Sequence, residues 1–116
     1  MKLLRSGFLL ATTFSIVAAA PAQAADADKS PASALFVSKC SPCHGKAGTP
    51  PPAYAKIGVR KLSDPEWQKS KTDAEINEVI VKGSKGTAMR AFKELKPAEI
   101  HALVKFVRTL NGAPAK

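Results

Sequence analysis

The stretch Ser38-Lys39-Cys40-Ser41-Pro42-Cys43-His44-Gly45 carries two thiols three positions apart and an imidazole directly after the second. That spacing lets Cys40 and Cys43 reach the two vinyl groups of one porphyrin while His44 swings under the iron. Other uses of a Cys-x-x-Cys pair are a structural zinc site, a thioredoxin-like dithiol and a plain disulfide. Zinc needs four ligands; the chain's two cysteines and two histidines, His44 and His101, just make that number, but His44 directly abuts Cys43, where a tetrahedral site is awkward to close. The run is therefore read as the attachment signature of one covalently bound c-type haem, with its iron. An imidazole binds metal through a neutral nitrogen, and its other nitrogen donates a proton to a carbonyl or carboxylate. A carbonyl near Pro50, Pro51 and Pro52 is the candidate acceptor.

The chain start agrees with that chemistry. Residues 1–24 read as a secretory signal: Lys2 and Arg5 are the charged start, Gly7 to Ala20 the apolar stretch, and Ala22-Gln23-Ala24 the cleavage site. The apolar stretch falls short of the roughly 20 residues of a membrane span, so no span is expected in the mature protein. Residues 25–30 are expected to form a flexible tail, and residues 31–116 one small domain whose own apolar side chains make a marginal core. Haem supplies the missing apolar bulk. No internal repeat or second hydrophobic span is present.

Periodicity and caps give an all-α fold. Ser30 caps a first helix with Pro31 in its first turn and Leu35, Phe36 and Cys40 on one side. Thr72-Asp73-Ala74-Glu75 is a capping box that opens a short helix with Ile76, Val79 and Ile80 as its buried stripe, ended by Gly83. Pro97 opens a last helix in which Ile100, Leu103, Val104, Val107 and Leu110 recur at helical steps until Asn111-Gly112. The Pro- and Gly-rich stretch from Gly45 to Gly58 is expected as loop, and a helical turn is expected near Asp64 to Lys69.

A second axial ligand to the iron is sought by elimination. Once Met1 leaves with the signal, Met89 is the one thioether of the mature chain, set in the irregular Gly86-Thr87-Ala88-Met89 loop. Its alternative role is to fill a gap in the core. His101 is the rival ligand, but it falls beside Lys105 and Arg108, opposite the apolar stripe of the last helix. A lysine amine and an open site are the remaining options. Trp67 and Tyr54 can hydrogen-bond a haem propionate or pack as core, and packing is favoured.

With those residues in place, the chain resembles the small class I cytochromes c of bacterial periplasms. The resemblance runs from Phe36 through Cys40-Ser41-Pro42-Cys43-His44-Gly45, Pro52-Ala53-Tyr54 and the helix from Asp73 to Gly83, to Met89, Phe92 and the closing helix. It implies three to four helices wrapped around one haem, with crossing of the first and last near Phe36 and Phe106. It also implies His44 as the proximal ligand, Met89 as the distal one, and the Pro52 carbonyl as acceptor of the His44 proton. Many relatives have proline directly after the ligand methionine; this chain has Arg90, which bears on the rigidity of that loop.

The function so implied is transfer of single electrons between periplasmic partners, with no bond made or broken at the iron and no enzymatic activity. Two other classes stay open: an open-site haem sensor or weak peroxidase, and a fixed haem subunit of a larger oxidoreductase. The formal net charge of +9 falls by two, to +7, when Lys2 and Arg5 leave. Lys39 and Lys46 bracket the haem motif, and Lys82, Lys85, Arg90, Lys93 and Lys96 bracket Met89. Such a ring would steer an acidic redox partner, an oxidase, reductase or dehydrogenase; a generic solvated surface is the plainer alternative. Nucleic acid is a poor partner for an exported haem protein, and a monomer is expected. Triads, phosphate loops and paired catalytic carboxylates have no candidates.

Overall fold

Proline stands in the first turn of five of the six helices found among the described residues, where its fixed φ suits the helix and its missing N–H leaves no bond unmade. The computed structural model describes residues 30–113. The expected signal and all but the last residue of the expected tail lie outside the described residues, as do residues 114–116. The elements are α1 (Pro31–Lys39), α2 (Ser41–His44), α3 (Pro52–Lys56), α4 (Pro65–Ser70), α5 (Asp73–Lys82) and α6 (Pro97–Thr109). The described residues are all-α and contain no strand.

Caps explain where the longer helices begin. Ser30 Oγ accepts from Ser33 N at 3.1 Å and starts α1. The capping box of α5 forms in full: Glu75 N donates to Thr72 Oγ1 at 3.2 Å, and Thr72 N donates to Glu75 Oε2 at 2.7 Å. In α6, Glu99 Oε2 accepts from Lys96 N at 2.7 Å. The expected turn near Asp64 is α4, with Asp64 Oδ1 accepting from Glu66 N at 3.0 Å.

Two further helices were not expected. In α2 the chain continues from Cys40 into one more turn, and α3 lies inside the Pro-rich stretch expected as loop. Pro51 O accepts from both Tyr54 N and Ala55 N, so the third proline of that run begins a turn. The count is thus six helices against the three to four expected, the excess being turns of four to six residues.

The core is built on α6, whose Ile100, Leu103, Val104 and Val107 are buried as the stripe requires. Phe36 of α1 is fully enclosed and meets Phe106 of α6 with ring centroids 5.0 Å apart at 49°. In α5, Ile76 and Ile80 join the core, whereas Val79 is 39% exposed and departs from the expected stripe. A polar hub fastens the far end. Gln68 is buried, and its Nε2 donates to Leu62 O at 2.7 Å and to Val107 O at 2.8 Å. Arg108 donates to Gln68 Oε1, to Gln68 O and to Asp73 Oδ1, joining α6 to α4 and to the start of α5.

Replacing Gln68 with leucine keeps the bulk but strips two buried carbonyls and one guanidinium of a partner, which costs about 2–4 kcal/mol. Urea unfolding of the holoprotein checks this. A loss below about 1 kcal/mol would mean that the hub is not a structural bond.

Candidate functional site

Cys40 ends α1, its N–H donating to Phe36 O at 2.8 Å, and the chain turns at once into α2. Cys40 O then accepts from Cys43 N at 3.2 Å and from His44 N at 2.9 Å, so both thiols and the imidazole ride on one turn. Gly45 leaves that turn at φ +76, and a Cβ there would collide with the Thr49 carbonyl. The placement of the motif therefore follows from the burial of Phe36.

Cys40, Cys43 and His44 line a cavity of about 1410 Å³, larger than the roughly 300–1,000 Å³ of an ordinary small-molecule pocket. Met89 lines the same cavity, as do Phe36, Ile76, Ile80 and Leu103. Two thiols, one imidazole and one thioether facing a cavity of this size fit a covalently held haem. Among the described residues no group of three or more His, Cys, Asp or Glu side chains could hold a bare metal ion.

His44 Nδ1 lies 2.9 Å from Arg60 O. A carbonyl only accepts, so the Nδ1 proton is donated there and Nε2 is left with its lone pair. Burial pushes the His44 pKa below its usual value, against the opposing pull of the Arg60 bond, and so favours the neutral imidazole that a metal requires. The expected acceptor, Pro52, is corrected by this contact. Pro52 is the first residue of α3 and is not on the cavity wall; the chain after α3 brings the Arg60 carbonyl to the ring instead. No local signal marks Arg60, which stands 16 residues from His44.

The Cys40 thiol is pushed up to about 11 by burial, with Arg90 drawing it down and Cys43 raising it. These are the free thiols; in the haem-bearing protein the same sulfur atoms would be thioethers. His101 is exposed on α6 and absent from the cavity wall, as its face assignment predicted. Trp67 is partly buried, packs on the core and lines the cavity, whereas Tyr54 is 37% exposed and does neither. The packing expectation thus holds for Trp67 and is corrected for Tyr54, which α3 carries outward.

The Met89 loop is tied by its own backbone. Ser84 N donates to Met89 O at 2.9 Å, Met89 N donates to Thr87 Oγ1 at 3.2 Å, and Phe92 N donates to Ile80 O at 2.9 Å. Gly83 stands at φ +75, ψ −178, a region essentially closed to other residues. A Cβ on it would come within 2.8 Å of both Met89 O and Ala91 N. Arg90 lies over the Phe92 ring at 3.9 Å and donates to Glu94 Oε1 at 2.9 Å. The bonded guanidinium, aided by Lys39, holds the Glu94 carboxyl down at about 2.

Of the cations expected around the site, Lys39, Lys82, Lys85 and Arg90 line the cavity; Lys46, Lys93 and Lys96 do not, and Arg60 and Lys71 take part unexpectedly. Glu75 and Glu78 line it too, paired with Lys71 at 3.9 Å and Lys82 at 2.7 Å.

Residues 30–111 match the family model described as Cytochrome c. The chain is 31% identical over 78 residues to the cbb3-type cytochrome c oxidase subunit FixP of Azorhizobium caulinodans, and 32% identical over 78 residues to FixP of Bradyrhizobium diazoefficiens. Each match covers 67% of this chain and 26% of the relative, so the chain spans about a quarter of the length of these curated relatives. Among solved structures, the KustC0563 c-type cytochrome is 38% identical with a TM-score of 0.63, over 69% of this chain and 96% of its own. A single-substitution mutant of that protein gives 40% identity and a TM-score of 0.61 over 69% of this chain and 98% of its own.

Substituting Gly83 with alanine should cost about 1–3 kcal/mol, from the backbone region and the blocked approach together. Hydrogen exchange would register the change locally, as faster exchange at the Ser84 and Phe92 amides than at those of α6. Uniform acceleration across the domain would refute a local role.

Proposed function

The chain belongs to the cytochrome c family, and we propose from that membership that Cys40 and Cys43 hold its haem, that His44 and Met89 are the two axial ligands, and that the protein shuttles single electrons in the periplasm. Covalently bound haem c and an electron-carrying role come with the family. Haem c supplies a one-electron couple at its iron. The chain's own residues set the conditions for that couple. The Arg60 carbonyl takes the Nδ1 proton of His44, which keeps Nε2 available and the ring oriented. Met89 offers a soft sulfur, which favours the lower oxidation state relative to a second nitrogen. Phe36, Ile76, Ile80 and Leu103 give the cavity an apolar stretch of wall, and a low dielectric against a bound haem would further disfavour extra positive charge.

The single observation that carries the ligand assignment is that Cys40, Cys43, His44 and Met89 line one cavity. The expected signal in residues 1–24 supports export, and among the described residues no helix is long and apolar enough to cross a membrane. The cations on the cavity wall support an acidic protein partner, and a monomer that does no chemistry of its own is the simplest form of such a carrier. The likeness to FixP favours a second reading, in which the protein works beside or within an oxidase.

The test is the absorption spectrum of the mature holoprotein. The oxidised form should show the weak near-infrared sulfur-to-iron band; Met89→Ala should abolish it, lower the potential and let the reduced form bind carbon monoxide. A parent protein that lacks the band and takes up carbon monoxide freely would replace the carrier with an open-site protein. Size-exclusion chromatography of a native extract separates the two carrier readings: a small free species supports shuttling, and co-migration with a large oxidase supports the second.

A further inference from the structure

Glu94 is the meeting point of two segments that the chain holds far apart. Its Oε1 accepts from Lys39 Nζ at 3.3 Å, across a separation of 55 residues, and from Arg90 Nη2 at 2.9 Å, while Oε2 accepts from Arg90 Nη1 at 3.3 Å. Lys39 directly precedes Cys40, and Arg90 directly follows Met89. We propose that Glu94 is a positioning residue that fastens the Met89 loop to the thiol-bearing end of α1 through its paired contacts with Arg90 and Lys39. This rests on the reading above that Met89 binds the iron.

Three features separate this link from an ordinary exposed ion pair, which stabilises little. Arg90 engages both carboxylate oxygens, a geometry that fixes direction as well as distance. The guanidinium is also held independently of Glu94: it covers the Phe92 ring at 3.9 Å and donates to Ala91 O at 3.1 Å, and Phe92 is itself buried and bonded to Ile80 O. Finally, the link crosses the structure. The pairs Lys69–Glu66, Lys71–Glu75 and Lys82–Glu78 each join residues three or four apart. Of the two longer pairs among the described residues, Arg108–Asp73 serves the Gln68 hub, leaving Lys39–Glu94 to join α1 to the Met89 side. The backbone ties of the loop, Ser84 N to Met89 O and Phe92 N to Ile80 O, run within the loop and to α5, and neither reaches α1; the carboxylate supplies that link.

The consequence is kinetic. An external ligand can replace Met89 at the iron only when the loop opens, so the displacement rate reads the restraint. Ferric holoprotein is mixed with imidazole, and loss of the near-infrared sulfur-to-iron band is followed. Glu94→Gln keeps the shape but removes the charge, and should speed displacement about two- to five-fold. Lys39→Gln should act in the same direction but less, and the double variant should be no faster than Glu94→Gln alone, because both act through one link. Glu66→Gln, which breaks an exposed pair whose two residues do not line the cavity, should match the parent. Unchanged rates for Glu94→Gln, or independent addition of the two effects, would overturn the proposal. If Glu94→Gln fails to assemble, the parent supplies the test. Imidazole carries no charge when neutral, so added salt should accelerate displacement in the parent by weakening the link, and should do so less in Lys39→Gln; equal salt responses overturn the proposal. A parent without the band refutes Met89 ligation and the positioning role with it, whereas a parent with the band and unmoved rates refutes the positioning role alone.

Discussion

The tilted contact of Phe36 with Phe106, 5.0 Å between centroids, is the interaction on which the placement of the site depends. Such a pair contributes about 0.5–1.5 kcal/mol beyond the area it buries, but its larger effect is geometric. It fixes where α1 lies on α6, and Phe36 O receives the N–H of Cys40, so the register of the thiols follows directly from the position of one fully enclosed ring. From α6 the same logic runs outward through Arg108 to Gln68 and Asp73. The cavity walls on α1, α4 and α5 are thus held by contacts to a single helix.

His44 depends on a different part of the chain. Its ring is oriented by the Arg60 carbonyl, and Arg60 is held in place by what flanks it. Upstream, Pro51 O closes the first turn of α3. Downstream, Ser63 N donates to Gly48 O at 3.2 Å and Ser63 O accepts from Gly112 N at 2.9 Å. Ser63 is 2% exposed and its Oγ lies 2.9 Å from Thr49 Oγ1, so the segment that carries Arg60 is pinned to the loop after the motif and to the end of α6. Prolines at 50, 51 and 52 restrict the backbone of the intervening stretch before folding, which reduces the entropy lost when the loop closes.

The helices that carry a stripe and a cap were legible in the sequence. Ser30, Thr72-Glu75 and Pro97 mark the starts of α1, α5 and α6 because each satisfies a local rule within one turn, and the haem motif is legible for the same reason. What escaped was either too short or too distant. α3 reads as loop because three successive prolines look like a barrier, although proline is welcome at a first helical position. Val79 fits the stripe of α5 by spacing but faces the cavity, since a wall that contacts a large group need not be closed by protein. Arg60, Gln68 and Glu94 owe their roles to partners 16, 39 and 55 residues away, and no periodicity reports such pairings.

The cavity cations also divide once their partners are known, which changes what a basic ring can do. Lys39, Lys71, Lys82 and Arg90 each face a carboxylate, at 3.3, 3.9, 2.7 and 2.9 Å. At the approach distance of a partner, beyond a Debye length of about 8–10 Å, a closed pair presents little net charge. Among the described residues, Arg60 and Lys85 on the cavity wall belong to none of the ion pairs. For the acidic partner proposed above, the long-range pull would come from the overall excess of positive charge, and orientation at the cavity mouth would fall chiefly to these two side chains. The paired cations face their own carboxylates first: Lys82 and Lys71 are matched on the surface of α5, and Lys39 and Arg90 meet at Glu94. Counting every lysine near the site as part of a docking ring would assign to recognition charges that neighbouring carboxylates already offset.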